Sequence, residues 1–377
     1  MSAEVETRLL VPRDAADVAE LVAGATRSLE PVGGGTKRPI GRPVAGDVLD
    51  LRSLTGIVAY EAAELVLTAR AATPLAEIEA ALAEHAQRLA FEPPDFSALL
   101  GTSGRQTIGG VLAANLAGSR RVTAGAARDH FLGFRAVSGR GEPFKAGGKV
   151  VKNVTGYDLP KLLAGSWGTL AVLTEVTIRV APSPELDRTL VVARGSAGEC
   201  LALAGAALRS PHDVSAAAVD PERGSLLRLE GFAASVEART RALCDELDFS
   251  PDAVLEGQAS RDCWRSIASG APLATSPVVW RISVPPADAL RALDRLEPSR
   301  YLVDWGGGLI LAAYEDVDAT RVRGALGAGH ATLVKAPAAA RAATPVFEPQ
   351  PPALASIVAR LRAAFDPRGI LNPGRMD

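Results

Sequence analysis

Residues 107–121, TIGGVLAANLAGSRR, and 139–180, GRGEPFKAGGKVVKNVTGYDLPKLLAGSWGTLAVLTEVTIRV, decide how this chain is read. They set glycines and small residues on a strand-rich framework, which suits a backbone that must approach a large anionic ligand closely. Between Gly118 and Lys152 stand eight Lys/Arg (Arg120, Arg121, Arg128, Arg135, Arg140, Lys145, Lys149, Lys152) against Asp129 and Glu142. The whole protein carries a net charge of only −2, so this excess is local. A phosphate-bearing cofactor is the simplest partner for it.

Upstream lies residues 31–37, PVGGGTK. Its three glycines permit positive φ and let successive N–H groups converge on an anion, with the Thr36 hydroxyl and the Lys37 charge beside them. A P-loop would continue into a helix, but Arg38-Pro39 follows, and a Rossmann turn would open a helix here as well. A plain glycine turn remains the competing reading. Residues 107–118 form a second glycine/alanine surface, for which close packing of a helix on a sheet is the alternative. Residues 152–158, KNVTGYD, bring amide, hydroxyl and charged groups before a short helix ending at Gly165; Asp158 also reads as that helix's cap.

At 377 residues the chain exceeds one ordinary core, so two domains are expected. A composition of 47% hydrophobic and 22% charged residues suits a globular protein. A pI near 6.2 argues against non-specific nucleic-acid binding. No basic segment followed by an apolar run opens the sequence, and no stretch approaches a membrane span, so a cytoplasmic location is expected, with membrane contact only through partners. Cys200, Cys244 and Cys263 are far apart and form no C-x-x-C pair, so no metal or iron–sulfur site is expected from this chain alone.

Periodicity predicts a helix over 14–25 capped by Asp14, strands ending at Val32 and covering 48–51, and a helix opened by Thr73 as cap with Pro74 in its first turn. A strand over 131–137, a turn at 139–141 and a buried strand over 170–180 follow. After Pro184 the order becomes strand, helix, strand, strand, helix, strand. It recurs from Val278 to Val334, the split βαβ grammar of an antiparallel sheet with helices on one face. A helix over 354–365 precedes the tail FDPRGILNPGRMD.

The order of these motifs carries more than any one of them. VGGGTK, then TIGG…AN..G, then GYDLPKLLAGSWGTLAVLTEV, then DPRGILNPGRM, resembles the vanillyl-alcohol-oxidase (PCMH) type of FAD-binding domain. Within it the chain is most similar to the FAD-binding (E) subunits of bacterial glycolate oxidases, on KVVKNVTGYDLPKLLAGSWGTL, VVWRISVP and LVDWGGG. The resemblance implies an α+β fold: a two-subdomain FAD-binding domain over 1–182, a mostly antiparallel ferredoxin-like cap over 183–345, and a segment, 346–377, returning to the FAD domain. It implies that Val32, Gly33, Gly34, Gly35, Thr36 and Lys37 hold the FAD pyrophosphate. Gly101, Thr107, Ile108, Gly109, Gly110, Asn115 and Gly118, with Lys152, Asn153, Thr155, Gly156, Tyr157, Gly168, Thr169 and Val172, would line the rest of the cofactor, and Asn372 would complete the site. No His occupies the glycine loop, so FAD is expected to be non-covalent.

Oxidising a 2-hydroxy acid such as glycolate or D-lactate needs a base, a cation for the carboxylate and a hydride path to the flavin. Arg281 and Arg375 are the candidates for the carboxylate, since guanidinium offers a bidentate fork; either also suits an ordinary salt bridge. His85, His130, His212 and His330 show none of the close spacing of the metal-binding His cluster in relatives that act alone. The resemblance therefore implies partners: a larger FAD-containing hydroxy-acid dehydrogenase subunit and an Fe–S subunit. A self-sufficient flavin oxidase and a non-catalytic assembly subunit stay open as alternatives.

Overall fold

The computed structural model describes residues 7–149, 156–193 and 195–377. The first half is built on two sheets. Three short parallel strands run in the order Leu9–Leu10, Asp47–Asp50, Leu29–Val32. Five antiparallel strands follow in the order Ile57–Glu61, Val66–Arg70, Ala171–Arg179, Phe131–Ser138, Pro143–Gly147. The helix Ala15–Ala23 begins where Asp14 accepts from the N–H groups of Ala16 and Asp17, and it buries Val18 and Val22. Helix Leu75–Ala83 departs from its sequence reading at the cap. Pro74 takes the cap position, and the Thr73 hydroxyl donates to the carbonyls of Gly56 and Arg70 instead. Thr73 therefore ties two turns together rather than starting a helix.

The second half is one eight-stranded antiparallel sheet. Its order is Ala253–Glu256, Leu186–Val192, Gly224–Gly231, Val214–Asp220, Arg300–Asp304, Leu309–Tyr314, Val278–Ser283, His330–Lys335. Each half of it is a complete βαββαβ unit, and the two meet through the pair Val219–Val303. The strands at 300–304 and 309–314 flank the Trp305-Gly306-Gly307 turn of LVDWGGG and complete the second unit.

Helices Ala197–Arg209, Ala233–Glu246 and Ala289–Leu296 cover one face, packing Leu203, Val236 and Leu293 on Leu227, Trp280 and Ile310. The one-face expectation fails at Gly257–Ser269. This helix places Cys263, Trp264 and Ile267 on the opposite face, beside Val191, Ala216 and Leu226. On that same face Phe96, Leu99 and Leu116 from the first half pack against Val279, Leu302 and Leu311. The tail then returns: Leu29 N–H donates to Ile370 O (2.7 Å) and Asn372 N–H to Leu29 O (2.9 Å).

Charges also cross between the halves. Arg228, 1% exposed, donates to Asp187 Oδ1 (3.1 Å) and to Glu92 Oε2 (2.8 Å), and lies 3.3 Å from Glu230. Glu230 in turn pairs with Arg88 and with Arg120 (2.9 Å). Burial alone would raise the Glu230 pKa, but Arg228, Arg120 and Arg88 hold it at about 2. Its contribution to stability is thus full above the ordinary glutamate range and is lost as pH falls toward 2. Arg228→Met strands these carboxylates, and we expect a loss of about 3–5 kcal/mol in urea unfolding at pH 7. An unchanged urea midpoint would show that the network carries no net stability.

Candidate cofactor site

The strand Leu29–Val32 delivers residues 33–37 to the mouth of a cleft. Backbone meets backbone on the far side of this loop. A Cβ on Gly34 would lie 1.6 Å from Arg105 O, and one on Gly104 would lie 1.8 Å from Gly34 O. A Cβ on Gly33 would meet the Thr107 hydroxyl at 2.6 Å. Glycine is therefore required here by the neighbouring segment as well as by any ligand. Among the described residues, the N–H groups of Gly33, Gly34, Gly35, Thr36 and Lys37 donate no hydrogen bond. Five consecutive free donors form an anion-binding concavity. Lys37 stands beside them with Nζ on Gln106 Oε1 (2.7 Å) and no carboxylate in ion-pair range. Burial pushes its ammonium down to about 8, with Asp95 opposing.

The opposite walls come from two other regions. Helix Ile108–Ala114 starts at Thr107, whose hydroxyl accepts from Gly110 N–H. Gly109 is pressed on the strand end at Ala71, with 2.8 Å left for a Cβ. Gly110 lines the cleft beside Ala113 and Ala114, and a Cβ there would lie 3.1 Å from the Thr107 hydroxyl. Trp167 and Gly168 close the far end with Asn372, whose amide donates to Trp167 O (2.8 Å). Trp167 (φ 52°) and Asn372 (φ 46°) are both left-handed non-glycine residues, a strain that the surrounding packing sustains. The Asn372 side-chain oxygen is buried with no partner.

Most of the glycine-bearing sequence candidates converge here. Val32 to Lys37, Thr107, Gly109, Gly110, Gly168, Val172 and Asn372 all line the cleft. Gly101 lines a second cleft on the other side of the same loop, together with Gly33, Gly34 and Gly35. Others do not line either cleft. Ile108 is wholly buried in the core, and Asn115 caps its helix while accepting from Arg128 N–H (3.0 Å). Gly118 packs against Glu92 O, and the Thr169 hydroxyl donates to Ser166 O (2.7 Å). Gly156 is exposed and Tyr157 is 88% exposed. Lys152, Asn153 and Thr155 lie outside the described residues.

The basic excess at 118–152 does not gather at the cleft either. Arg135 pairs with Glu175, Lys149 with Glu61 and Arg120 with Glu230. Arg375 reaches the cleft edge but is spent on the fold: it donates to Lys37 O (3.0 Å) and Arg38 O (3.2 Å) and pairs with Glu30. Its task is to pin the glycine loop to the returning tail, so it is not available as a carboxylate clamp. Arg281 lies outside the cleft, on the strand Val278–Ser283 of the second half. His130 is buried with Nε2 on Ala124 O (2.8 Å), and His212 pairs with Glu246. Among the described residues no three His, Cys, Asp or Glu side chains are grouped for a metal. Ala71 and Ala72 also line the cleft and were not among the sequence candidates, whereas Ala113, Ala114 and Trp167 fall inside the stretches that the sequence reading had marked.

A run of free N–H donors with one lysine suits a pyrophosphate, and an apolar slot ending at an unpartnered Asn oxygen suits a flavin ring bearing a donor. The residues present fit FAD. Comparison with known proteins agrees. The family model described as an FAD binding domain matches residues 7–147. The glycolate oxidase subunit GlcE of Escherichia coli (strain K12) is 35% identical over 348 residues, covering 91% of each chain. The glycolate oxidase subunit GlcD of Bacillus subtilis (strain 168) is 40% identical over 101 residues, 27% of this chain and 21% of its own. An alkyldihydroxyacetonephosphate synthase structure shares the fold at 16% identity, with a TM-score of 0.67 over 97% of this chain and 76% of that one.

Two outcomes test the site. Gly110→Leu fills the open side of the helix while raising helix propensity; we expect flavin content to fall at least about 100-fold with the circular dichroism spectrum retained. Lys37→Met removes a charged hydrogen bond of about 1.5–3 kcal/mol, so FAD affinity in a fluorescence titration should drop about 10–100-fold. The free ammonium loses its proton as pH rises through about 8, so wild-type affinity should decline above that pH. In Lys37→Met that part of the decline should be absent.

Proposed function

This chain belongs to the FAD-binding family that contains the glycolate oxidase subunit GlcE, and on that footing we propose that it is the FAD-binding subunit of a glycolate-oxidising complex. The reading extends to D-lactate as a second substrate and to non-covalent FAD. The five unpartnered N–H groups from Gly33 to Lys37 carry it. Bound FAD supplies a hydride-accepting ring that can pass electrons onward to a partner flavin or Fe–S centre rather than to a nicotinamide.

The chain's own residues would bind and orient. The glycine loop and Lys37 hold the pyrophosphate, and Arg375 keeps that loop fixed against the tail. Ala71, Ala113 and Ala171 exclude water along the cleft, while Asn372 offers an acceptor at its far end. The partners in this reading are a larger FAD-containing hydroxy-acid dehydrogenase subunit and an Fe–S subunit. The name of the Escherichia coli relative, a subunit, favours such an assembly. In the same reading 1–182 forms the FAD-binding domain, 183–345 the cap, and 346–377 the segment that packs back. No helix among the described residues is long and apolar enough to cross a membrane.

Reconstitution tests the proposal. Purified alone, the chain should be yellow and should release its flavin on acid precipitation. Glycolate-dependent dye reduction should appear when the partner subunits are added and fall with Gly110→Leu. Full activity of the complex with a flavin-free chain would reduce it to an assembly subunit. Bleaching by glycolate without partners would instead make it self-sufficient.

A further inference from the structure

The chain that leaves the cofactor cleft runs directly to a second cluster of charges. After helix Ile108–Ala114, Gly118 O accepts from Trp305 Nε1 (3.1 Å) and the Ser119 hydroxyl donates to Asp304 Oδ2 (2.6 Å). Two residues later stands Arg121. Its guanidinium lies 4.9 Å from the Trp305 ring centroid, and that of Arg281, from the cap, lies 4.9 Å from the same centroid. Trp305 is left-handed (φ 56°) and 7% exposed, so the indole is a fixed platform.

These two cations lack anions. Neither side chain makes a hydrogen bond or ion pair among the described residues. That is unusual for arginine, which nearly always spends its five donors when half-buried. Burial, then the charge of Arg121, push the Arg281 pKa down to about 10, with Asp304 opposing. Asp304 is the nearby carboxylate but forms no ion pair with either: it accepts from Ser119 and from Trp305 N–H (2.7 Å), and burial pushes its pKa up to about 6.

The cluster faces the cofactor half. Arg281 and Val279 share a face of their strand, and Val279 packs with Ala114 and Trp167 of the cleft. Thr332 is Arg281's partner on the next strand, two residues beyond His330. Two guanidinium forks held on one indole with no anionic partner, with Thr332 at the paired position on the next strand, match a planar oxyanion.

We propose that Arg121 and Arg281, held on Trp305, form a binding site for the carboxylate of a small 2-hydroxy or 2-oxo acid, at the seam between the FAD half and the cap. The choice of acid rests on the function proposed above; the anion site itself does not. The site assigns binding to this chain and leaves open in which subunit the acid is oxidised.

Calorimetric titration of the purified full chain with oxalate and with glycolate tests it. Saturable binding is expected, at least tenfold weaker in Arg281→Met and in Arg121→Met, largely kept in Arg281→Lys, and unchanged in the exposed control Arg295→Met. His330 gives an independent readout. Its pKa is lowered by burial and by Arg281 and Arg121, with Glu348 opposing. A bound carboxylate offsets those two cations, so the His330 imidazole resonance, assigned with His330→Gln, should titrate at higher pH with oxalate present. No binding by the wild type, or equal binding by wild type and Arg281→Met, overturns the site. Flavin content, measured on the same samples, separates the two readings. Oxalate bound through Arg281 by a flavin-free chain upholds the site while the cofactor reading fails. A flavin-loaded chain indifferent to oxalate does the reverse.

Discussion

Everything at the cofactor cleft depends on one close approach, Gly34 against the backbone of residues 104–105. A single Cβ on either side of that contact would enter a carbonyl oxygen. The contact fixes the loop, and among the described residues the N–H groups of residues 33–37 donate to no protein atom. Five consecutive peptide donors with no protein partner are left to water or to a bound anion, and such a run of N–H groups makes an anion-binding nest. Arg375 and the returning tail hold the other side of the loop. Anion binding here is preorganised by packing, and little ordering cost remains for the moment of binding.

The legibility of this arrangement was uneven for physical reasons. Glycines forced by close approach announce themselves in sequence, so residues 33–35, Gly109 and Gly168 were found. Asn372 came through its motif. Side-chain direction is less legible. Ile108 and Thr169 sit beside true cleft residues, but one turns into the core and the other back to its own turn. The basic excess was misleading because charge counts ignore partners. Arg120, Arg135 and Lys149 are paired with glutamates remote in sequence, while the cleft relies on backbone dipoles and one lysine. The first βαββαβ unit was legible because its strands are apolar and its helices amphipathic. In the second unit, Trp305-Gly306-Gly307 interrupts the pattern between two strands, and only the completed sheet reveals them.

The eight-stranded half does more than cover the first. Its helix-free zones face the first half, where apolar contacts around Val279 and Leu311 adjoin the ion network of Arg228. Apolar burial sets the strength of this seam, while the buried charges set its register, since a shifted seam would leave carboxylates unpaired. The same registration brings Arg281 of the cap and Arg121 of the first half to one indole. Neither half presents that pair alone.

The returning tail carries a consequence for biogenesis. Leu371 lies beside Leu29, and Asn372 and Arg375 furnish the cleft, although the glycine loop is made hundreds of residues earlier. A polypeptide halted anywhere in the cap would expose the loop's donors yet lack the oxygen at the far end and the arginine that steadies the loop. Tight flavin capture must then wait until synthesis has passed residue 375.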